Sequence, residues 1–203
     1  MASTIVGVLG RKRHGKDTLA SRLVTAHGFT RFAFADKLRE AALKLDPVIP
    51  VYPDEYGKLP AHWTLAFFDR PILPRLSYLV RELGWEAAKE LREVRRTLQH
   101  MGVGVRDLDE DFWVRAVMVA VDNHPGPVVI TDVRFPNEVA AVASRGGTTV
   151  RVVNPRLPRP DAEHISESAL DHYAPRFTVP NAGTIEDLHR HADLIAGRMH
   201  PTR

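Results

Sequence analysis

The chain has 203 residues, enough to bury a substantial core as a single domain. It contains no cysteine, which excludes disulfides and thiolate metal sites. No apolar run reaches membrane-spanning length, and the N-terminus shows no secretory pattern, so the expected location is the cytoplasm with no membrane partner. The formal charge is +3, and 22 of the 28 basic residues are Arg, which suits fork-like recognition of phosphate. These arginines are dispersed between apparent elements. That favours several small phosphates over a stable nucleic-acid partner.

In chain order, residues 4–9 (Thr-Ile-Val-Gly-Val-Leu) read as a buried strand. Residues 10–18 follow as Gly-Arg-Lys-Arg-His-Gly-Lys-Asp-Thr, the glycine and lysine spacing of a phosphate-binding loop. Residues 16–26 then read as a helix with Leu19, Leu23 and Val24 on one face. Unpaired N–H groups and the positive end of the helix dipole face an anion there, and Lys16 reaches the β/γ-phosphates of a bound triphosphate. The position after the lysine, often Ser or Thr, is Asp17, followed by Thr18. A carboxylate is a good ligand for a hard cation but repels bare phosphate, so nucleotide binding is expected to depend strongly on Mg²⁺, with Asp17 and Thr18 as its ligands.

Residues 29–34 alternate as a half-buried strand, 128–133 and 148–153 are β-branched strands, and 176–180 is a short one. Between and after them, 36–45, 75–83, 87–101, 111–121, 136–144 and 184–195 read as helices. Strands alternating with helices predict an α/β fold, a mostly parallel five-stranded sheet flanked by helices. Two stretches break the pattern: 46–74, rich in proline and aromatics, and 154–175, with four prolines and several charges. Both have the character of lids or binding loops.

The strand over 128–133 leads into Asp132 and Arg134. Ligands of open α/β sheets sit beyond the carboxyl ends of strands, so this pair is placed to meet phosphate or Mg²⁺; the alternative is a local hydrogen-bond acceptor with a surface arginine. Within 92–106, Arg92, Arg96 and Gln99 share one helical face, fit either for a nucleotide or for solvent. The second irregular stretch carries Arg156, Arg159, His164 and Glu167, a flap over the phosphates or an ordinary surface loop.

Taken in order, these segments resemble the bacteriophage deoxynucleoside monophosphate kinases, a branch of the P-loop nucleoside monophosphate kinases. The resemblance runs through Gly15-Lys16-Asp17-Thr18, Phe34-Ala35-Asp36-Lys37-Leu38, Leu98-Gln99-His100-Met101-Gly102 and Asp111-Phe112-Trp113. It continues through Asp132-Val133-Arg134-Phe135-Pro136-Asn137-Glu138, His164-Ile165-Ser166-Glu167 and Asn181-Ala182-Gly183-Thr184. The stretch 46–74 has no clear match. The resemblance implies one P-loop kinase domain over 1–203, with a monophosphate-binding region at about 36–106 and a lid at about 154–175. The implied reaction moves the γ-phosphoryl group of ATP to a deoxynucleoside 5′-monophosphate, with Mg²⁺, in the service of phage DNA synthesis in the host cytoplasm.

On that resemblance, Arg13, His14, Gly15, Lys16, Asp17 and Thr18 bind ATP, and Asp17, Thr18 and Asp132 are the candidate metal ligands. Lys16, Arg134, Arg156 and Arg159 carry the transferred charge. Asp36, Arg39, Arg96, Gln99, Arg106, Trp113 and Arg134 are the candidates for the acceptor nucleotide, with Trp113 equally suited to a plain core role. The pattern is compatible with a homodimer as well as a monomer. Two other classes fit the same phosphate loop. A kinase with a hydroxyl acceptor, such as a dephospho-coenzyme A or nucleoside kinase, needs a carboxylate base, which Asp36 can supply. A non-enzymatic, DNA-associated nucleotide-binding module fits the basic composition and predicts steep salt dependence.

Overall fold

The computed structural model describes residues 4–64, 70–157 and 169–199. The chain divides into two compact units, one formed by Met1–Ala35 with Trp113–Arg203 and the other by Asp36–Phe112.

The first unit is built on a five-stranded parallel sheet in the order β2-β3-β1-β4-β5. Its strands are β1 (Ile5–Leu9), β2 (Thr30–Phe32), β3 (Val128–Ile130), β4 (Thr148–Val153) and β5 (Phe177–Pro180). In β1, Val6 pairs with Val129 on one side and Thr148 on the other, which makes it the central strand. Every residue of β1 and β3 is buried, as expected of parallel strands covered on both faces.

Period-two alternation sorts the side chains between two cores. Val6, Val8, Val150 and Val152 join Leu19 and Leu23 of α1 (Lys16–His27) and Leu188, Ala192 and Ile195 of α8 (Ile185–Met199). Ile5, Leu9, Val128 and Ile130 face the other way. They pack on Val117 and Met118 of α6 (Phe112–Asp122) and Val139 and Val142 of α7 (Pro136–Ala143). Each fully buried aliphatic side chain contributes about 1.5–3 kcal/mol relative to exposure.

The second unit is helical: most of α2 (Phe34–Leu45), then α3 (Ala61–Thr64), α4 (Leu76–Ala88) and α5 (Arg92–Leu108). Its core joins Ala42 of α2, Leu76 and Leu79 of α4, and Val94 and Leu98 of α5 to Ile49, Val51 and Leu59. The last three come from the stretch 46–74, so the described part of that stretch is core-forming and not a loose loop. It makes antiparallel bridges, Val48 to Arg75 and Val51 to Ile72, and a 3₁₀ helix over Pro53–Lys58. Apolar residues spaced between prolines carry no helix or strand period, which is why this packing was not visible in the sequence pattern.

Several boundaries also differ from the sequence expectation: the strand expected over 128–133 ends at Ile130, and the helices expected to end at 83, 101 and 195 run on to Ala88, Leu108 and Met199. The strand expected over 29–34 covers only Thr30–Phe32, because the N–H groups of Phe34 and Ala35 turn onto the Asp132 carboxylate and start α2. The helix expected from residue 87 starts at Arg92: Glu90 and Leu91 donate back to the carbonyls of Ala87 and Ala88 in a turn. Among the described residues no helix is long and apolar enough to cross a membrane.

Candidate active site

The loop between β1 and α1 takes its shape from three left-handed residues, Gly10 (φ 139°), Arg13 (φ 66°) and Gly15 (φ 100°). Two of them are glycines for a second reason besides φ. A Cβ on Gly10 would press on the Val152 carbonyl oxygen of β4 well inside contact distance, and one on Gly15 would lie 2.5 Å from Asn181 Nδ2. Left-handed residues within a turn are the backbone from which anion nests are built, and α1 starts at the end of this loop. Arg13, with no such need for glycine, holds a strained backbone of the kind found at ligand clamps.

Lys16 is the first residue of α1 and only 9% exposed. Its Nζ donates to the Arg11 carbonyl at 2.8 Å, which lays the ammonium back across its own loop. Asp17 is exposed and Thr18 half-buried on the same first turn. Arg11 donates from Nη2 to Asp171 Oδ2 at 2.7 Å, and Arg151 of β4 from Nη2 to the Leu170 carbonyl at 2.6 Å. These contacts hold the far end of the expected lid region against the sheet.

Beside the loop lies a cavity of about 450 Å³, lined among others by Gly10, Arg11, His14, Arg134, Arg151 and Asn154. Three guanidinium groups and the loop therefore share one space, which is the charge distribution a polyphosphate needs. Arg134 is set there by Glu138, which is 4% exposed. The Glu138 Oε2 accepts the N–H groups of Arg134 (2.6 Å) and Phe135 (3.0 Å) and so caps the start of α7. Pro136 occupies the first turn of α7, where it loses no hydrogen bond.

Asp132, half-buried, uses Oδ1 on the Phe34 N–H (2.7 Å) and Oδ2 on the Ala35 N–H (2.9 Å). Its carboxylate thus caps α2. Arg156 is exposed and does not line the cavity, although Pro155 and Leu157 do; its N–H donates to Asn154 Oδ1 at 3.0 Å. Arg159, His164 and Glu167 lie outside the described residues.

Behind the loop, α1 and α8 are tied by a charged cluster. Asp193 accepts from both Arg22 nitrogens, at 2.8 and 3.0 Å, and contacts His27 Nε2 at 2.7 Å. The hydrogen bonds from Arg22 and then His27 pull the Asp193 carboxyl down to about 2.

In the second unit, Asp36 and Arg39 occupy one face of α2, with Arg39 Nη1 3.8 Å from Asp36 Oδ1. Arg39 Nη2 is also 3.7 Å from Glu86 Oε1, and its guanidinium lies 5.6 Å from the Trp85 ring centroid. Trp85 and Glu86 follow a break in α4 at Gly84, whose φ of 73° and ψ of 162° are accessible essentially to glycine alone. On α5, Arg96 and Gln99 are exposed and Arg106 half-buried, with Arg96 Nη1 3.6 Å from Glu93. Trp113, in the first unit, is 8% exposed at the start of α6.

Sequence reading gave no site role to Arg151, Asn154, Asp171 or Trp85, and it quoted Arg11 and Asn181 only as parts of the loop and of a family motif. One signal was available: Arg151 interrupts a β-branched run that is otherwise core, and a charge in a buried strand needs a reason.

Residues 80–192 match the family model described as deoxynucleotide monophosphate kinase. The chain belongs to that family. The match covers Arg134, Glu138, Arg151 and Asn181, whereas the loop before α1 lies outside it. An uncharacterized protein of Ictalurid herpesvirus 1 is 38% identical over 124 residues, 58% of this chain and 52% of its own length. The chain thus spans about half of that relative. A protein of Acanthamoeba polyphaga mimivirus, provisionally named a deoxynucleotide monophosphate kinase, is 28% identical over 82% of this chain and 81% of its own. Among solved structures, a Thermus thermophilus protein aligns over 98% of this chain and 100% of its own, at 15% identity and a TM-score of 0.49. This kinase-family chain holds the P-loop kinase fold in its own sheet order and loop.

Proposed function

We propose that this protein transfers the γ-phosphoryl group of ATP to the 5′-phosphate of a deoxynucleoside monophosphate, releasing ADP and a deoxynucleoside diphosphate. The observation that carries this reading is the cavity beside the phosphate loop, into which Arg11, Arg134 and Arg151 converge in a member of this family.

In the step itself, an anionic oxygen of the acceptor phosphate forms a bond to Pγ as the bond from Pγ to the β–γ bridging oxygen breaks. The electron pair leaves on ADP. No general base is required, because the nucleophile already carries its charge. The protein's task is to hold two anions in line and to offset their repulsion.

Lys16 leaves the Arg11 carbonyl for the β/γ-phosphates, and Arg134 bridges donor and acceptor. Arg11 and Arg151 belong with the donor phosphates. Arg156 and Arg159 remain our candidates for charge stabilisation from the lid. Arg13, His14 and Gly15 complete the ATP contacts. Asp36, Arg39, Arg96, Gln99, Arg106 and Trp113 are assigned to the acceptor nucleotide.

Mg²⁺ fits the donor set. Asp17, Thr18 and Asp132 offer hard oxygens, and no cluster of three or more His, Cys, Asp or Glu among the described residues forms a ready cage. A cation that keeps its waters and takes phosphate oxygens suits such a sparse set. When bound it would neutralise charge on the β- and γ-phosphates.

The DNA-associated reading loses support on α5. Three of its four arginines have a carboxylate within ion-pair range, Arg92 of Asp54 and Glu55, Arg95 of Glu90 and Arg96 of Glu93, which disfavours an open basic stripe there. The relatives named above come from a herpesvirus and a mimivirus, which supports a role in viral deoxynucleotide supply without singling out phage.

The test is ADP production from ATP and Mg²⁺ with each of dAMP, dGMP, dCMP, dTMP and the ribonucleotides, with products identified by chromatography. Formation of deoxynucleoside diphosphates is the expected result. Binding of ATP with no monophosphate phosphorylated would overturn the acceptor assignment and bring the hydroxyl-acceptor reading forward.

A further inference from the structure

The phosphate loop is fixed from outside by two asparagines at the carboxyl edge of the sheet. Beyond β5, the Asn181 N–H donates to the Val153 carbonyl at 2.7 Å, a last rung that seats Asn181 beside the loop. Its side-chain Nδ2 then donates to the His14 carbonyl at 3.0 Å. From β4, the Asn154 N–H donates to His14 Nδ1 at 3.2 Å. An amide N–H can only donate, so Nδ1 is the unprotonated nitrogen and the ring is held as its Nε2–H tautomer while this bond lasts. One residue of the loop is thus gripped at its carbonyl by β5 and at its ring by β4.

We propose that Asn181 is a positioning residue for the nucleotide, acting through the His14–Gly15 peptide. A trans peptide is planar, with its C=O and N–H on opposite sides. Anchoring the His14 carbonyl on Asn181 therefore directs the Gly15 N–H away from the sheet edge, to the side on which the loop receives phosphate. The Asn181 amide lies so close to Gly15 that a Cβ there would stand 2.5 Å from Nδ2 and 3.1 Å from Leu188 Cδ2. Gly15 is thus required for its left-handed φ and for the approach of Asn181. A loop with glycines at both ends loses conformational freedom when phosphate binds, and an anchor already in place reduces that cost.

The inference rests on the reading that this loop binds a nucleoside triphosphate. It is tested by calorimetric binding of ATP, ADP and AMP in Mg²⁺ to the wild type, Asn181→Ala and Asn181→Ser. ATP and ADP affinity is expected to fall by about 10- to 100-fold in both variants, by analogy with the outer partners of metal ligands. AMP affinity is expected to stay within about twofold, because it lacks the phosphates the loop holds.

ATP binding within about twofold of wild type in both variants would overturn the proposal. So would an equal loss for all three nucleotides, the mark of general damage. If Asn181→Ala does not fold, Asn181→Ser carries the same comparison. If the variants show this phosphate-dependent loss while the wild type phosphorylates no monophosphate, the positioning role stands and the acceptor reading is removed. A wild type that binds neither ATP nor ADP removes both.

Discussion

The two units hold their candidate ligand groups in different ways. In the sheet unit, the phosphate loop is set mainly by its own backbone, with three left-handed residues and two glycines crowded at Cβ, and its His14 is held by Asn154 and Asn181 just beyond β4 and β5. In the helical unit, Arg39 is set by side chains, between Asp36, Glu86 and the face of Trp85. Backbone anchoring suits a donor whose polyphosphate is the same whatever base is used. Side-chain anchoring at 3.7–3.8 Å leaves an arginine that an incoming phosphate can recruit from weaker carboxylate partners.

The largest expected effect breaks the charge convergence of the sheet unit without touching its backbone. Arg134→Ala is expected to lower turnover by on the order of 10³-fold or more, by analogy with arginine fingers. Its ATP affinity should fall far less than its turnover, and the main-chain hydrogen bond from the Arg134 N–H to Glu138 is kept in the variant. Steady-state kinetics beside calorimetry checks this. Near-normal turnover in the folded variant would remove Arg134 from the mechanism.

Replacing one glycine in each unit sharpens the contrast. Gly10→Ala meets both a positive φ and the Val152 carbonyl, so it should cost about 3 kcal/mol or more of stability and weaken ATP. At Gly84 nothing lies within 4 Å of the place a methyl would take, so Gly84→Ala meets strain alone, about 1–3 kcal/mol. Straightening α4 there would carry Trp85 and Glu86 away from Arg39. Acceptor KM should then rise by about tenfold, with ATP KM unchanged. Chemical denaturation and a KM split for the two substrates separate the outcomes; a raised ATP KM in Gly84→Ala would contradict this division of labour.

A third comparison concerns the stretch 46–74. Glu55 is buried, and its Oε1 accepts the Arg92 N–H at 2.9 Å and Lys58 Nζ at 3.0 Å. It ties the 3₁₀ helix to the start of α5. Glu55→Ala strands these donors and should cost about 1–3 kcal/mol in denaturant unfolding. The same truncation at exposed Glu90, which pairs with Arg95 at 3.1 Å, should cost little. Equal effects would mean that the arm is not part of the core.

What the sequence made legible follows the same line. Features carried by local chemistry were readable: the loop spacing at Gly10, Gly15 and Lys16, the α1 face of Leu19 and Leu23, and Pro136 opening α7. So was the alternation of strands and helices, because period and β-branching are local properties. The strand order was not readable, since it depends on which strands pair across crossovers. Nor was the capping use of Asp132, whose partners Phe34 and Ala35 are about a hundred residues away. Asn154 and Asp171 escaped because asparagine and aspartate outside elements read as turn residues, and Asn181 was legible as part of a motif but not as a contact of the loop. Only the fold shows that they touch the loop. Trp85 was hidden in the same way, by a glycine that reads as a helix stop but in fact presents an aromatic to Arg39.

The smallest expected effect lies behind the phosphate loop, where Asp193 joins α1 to α8. Hydrogen bonds from Arg22 and His27 hold its carboxyl at about 2, below the ordinary 3.8. A carboxyl whose pKa is lower in the folded than in the unfolded chain stabilises the fold above the unfolded value. That contribution fades as pH falls through the folded one. The pair is about one-third exposed on each side, so solvent screens most of the interaction. Asp193→Asn should therefore lower Tm by roughly 1–3 °C at pH 6. The gap between variant and wild type should stay constant down to about pH 4 and close towards pH 2, the window set by the two pKa values. A gap that persists unchanged at pH 2 would show that Asp193 acts through packing between the helices. In that case its charge contributes nothing to the seating of α1 behind the loop.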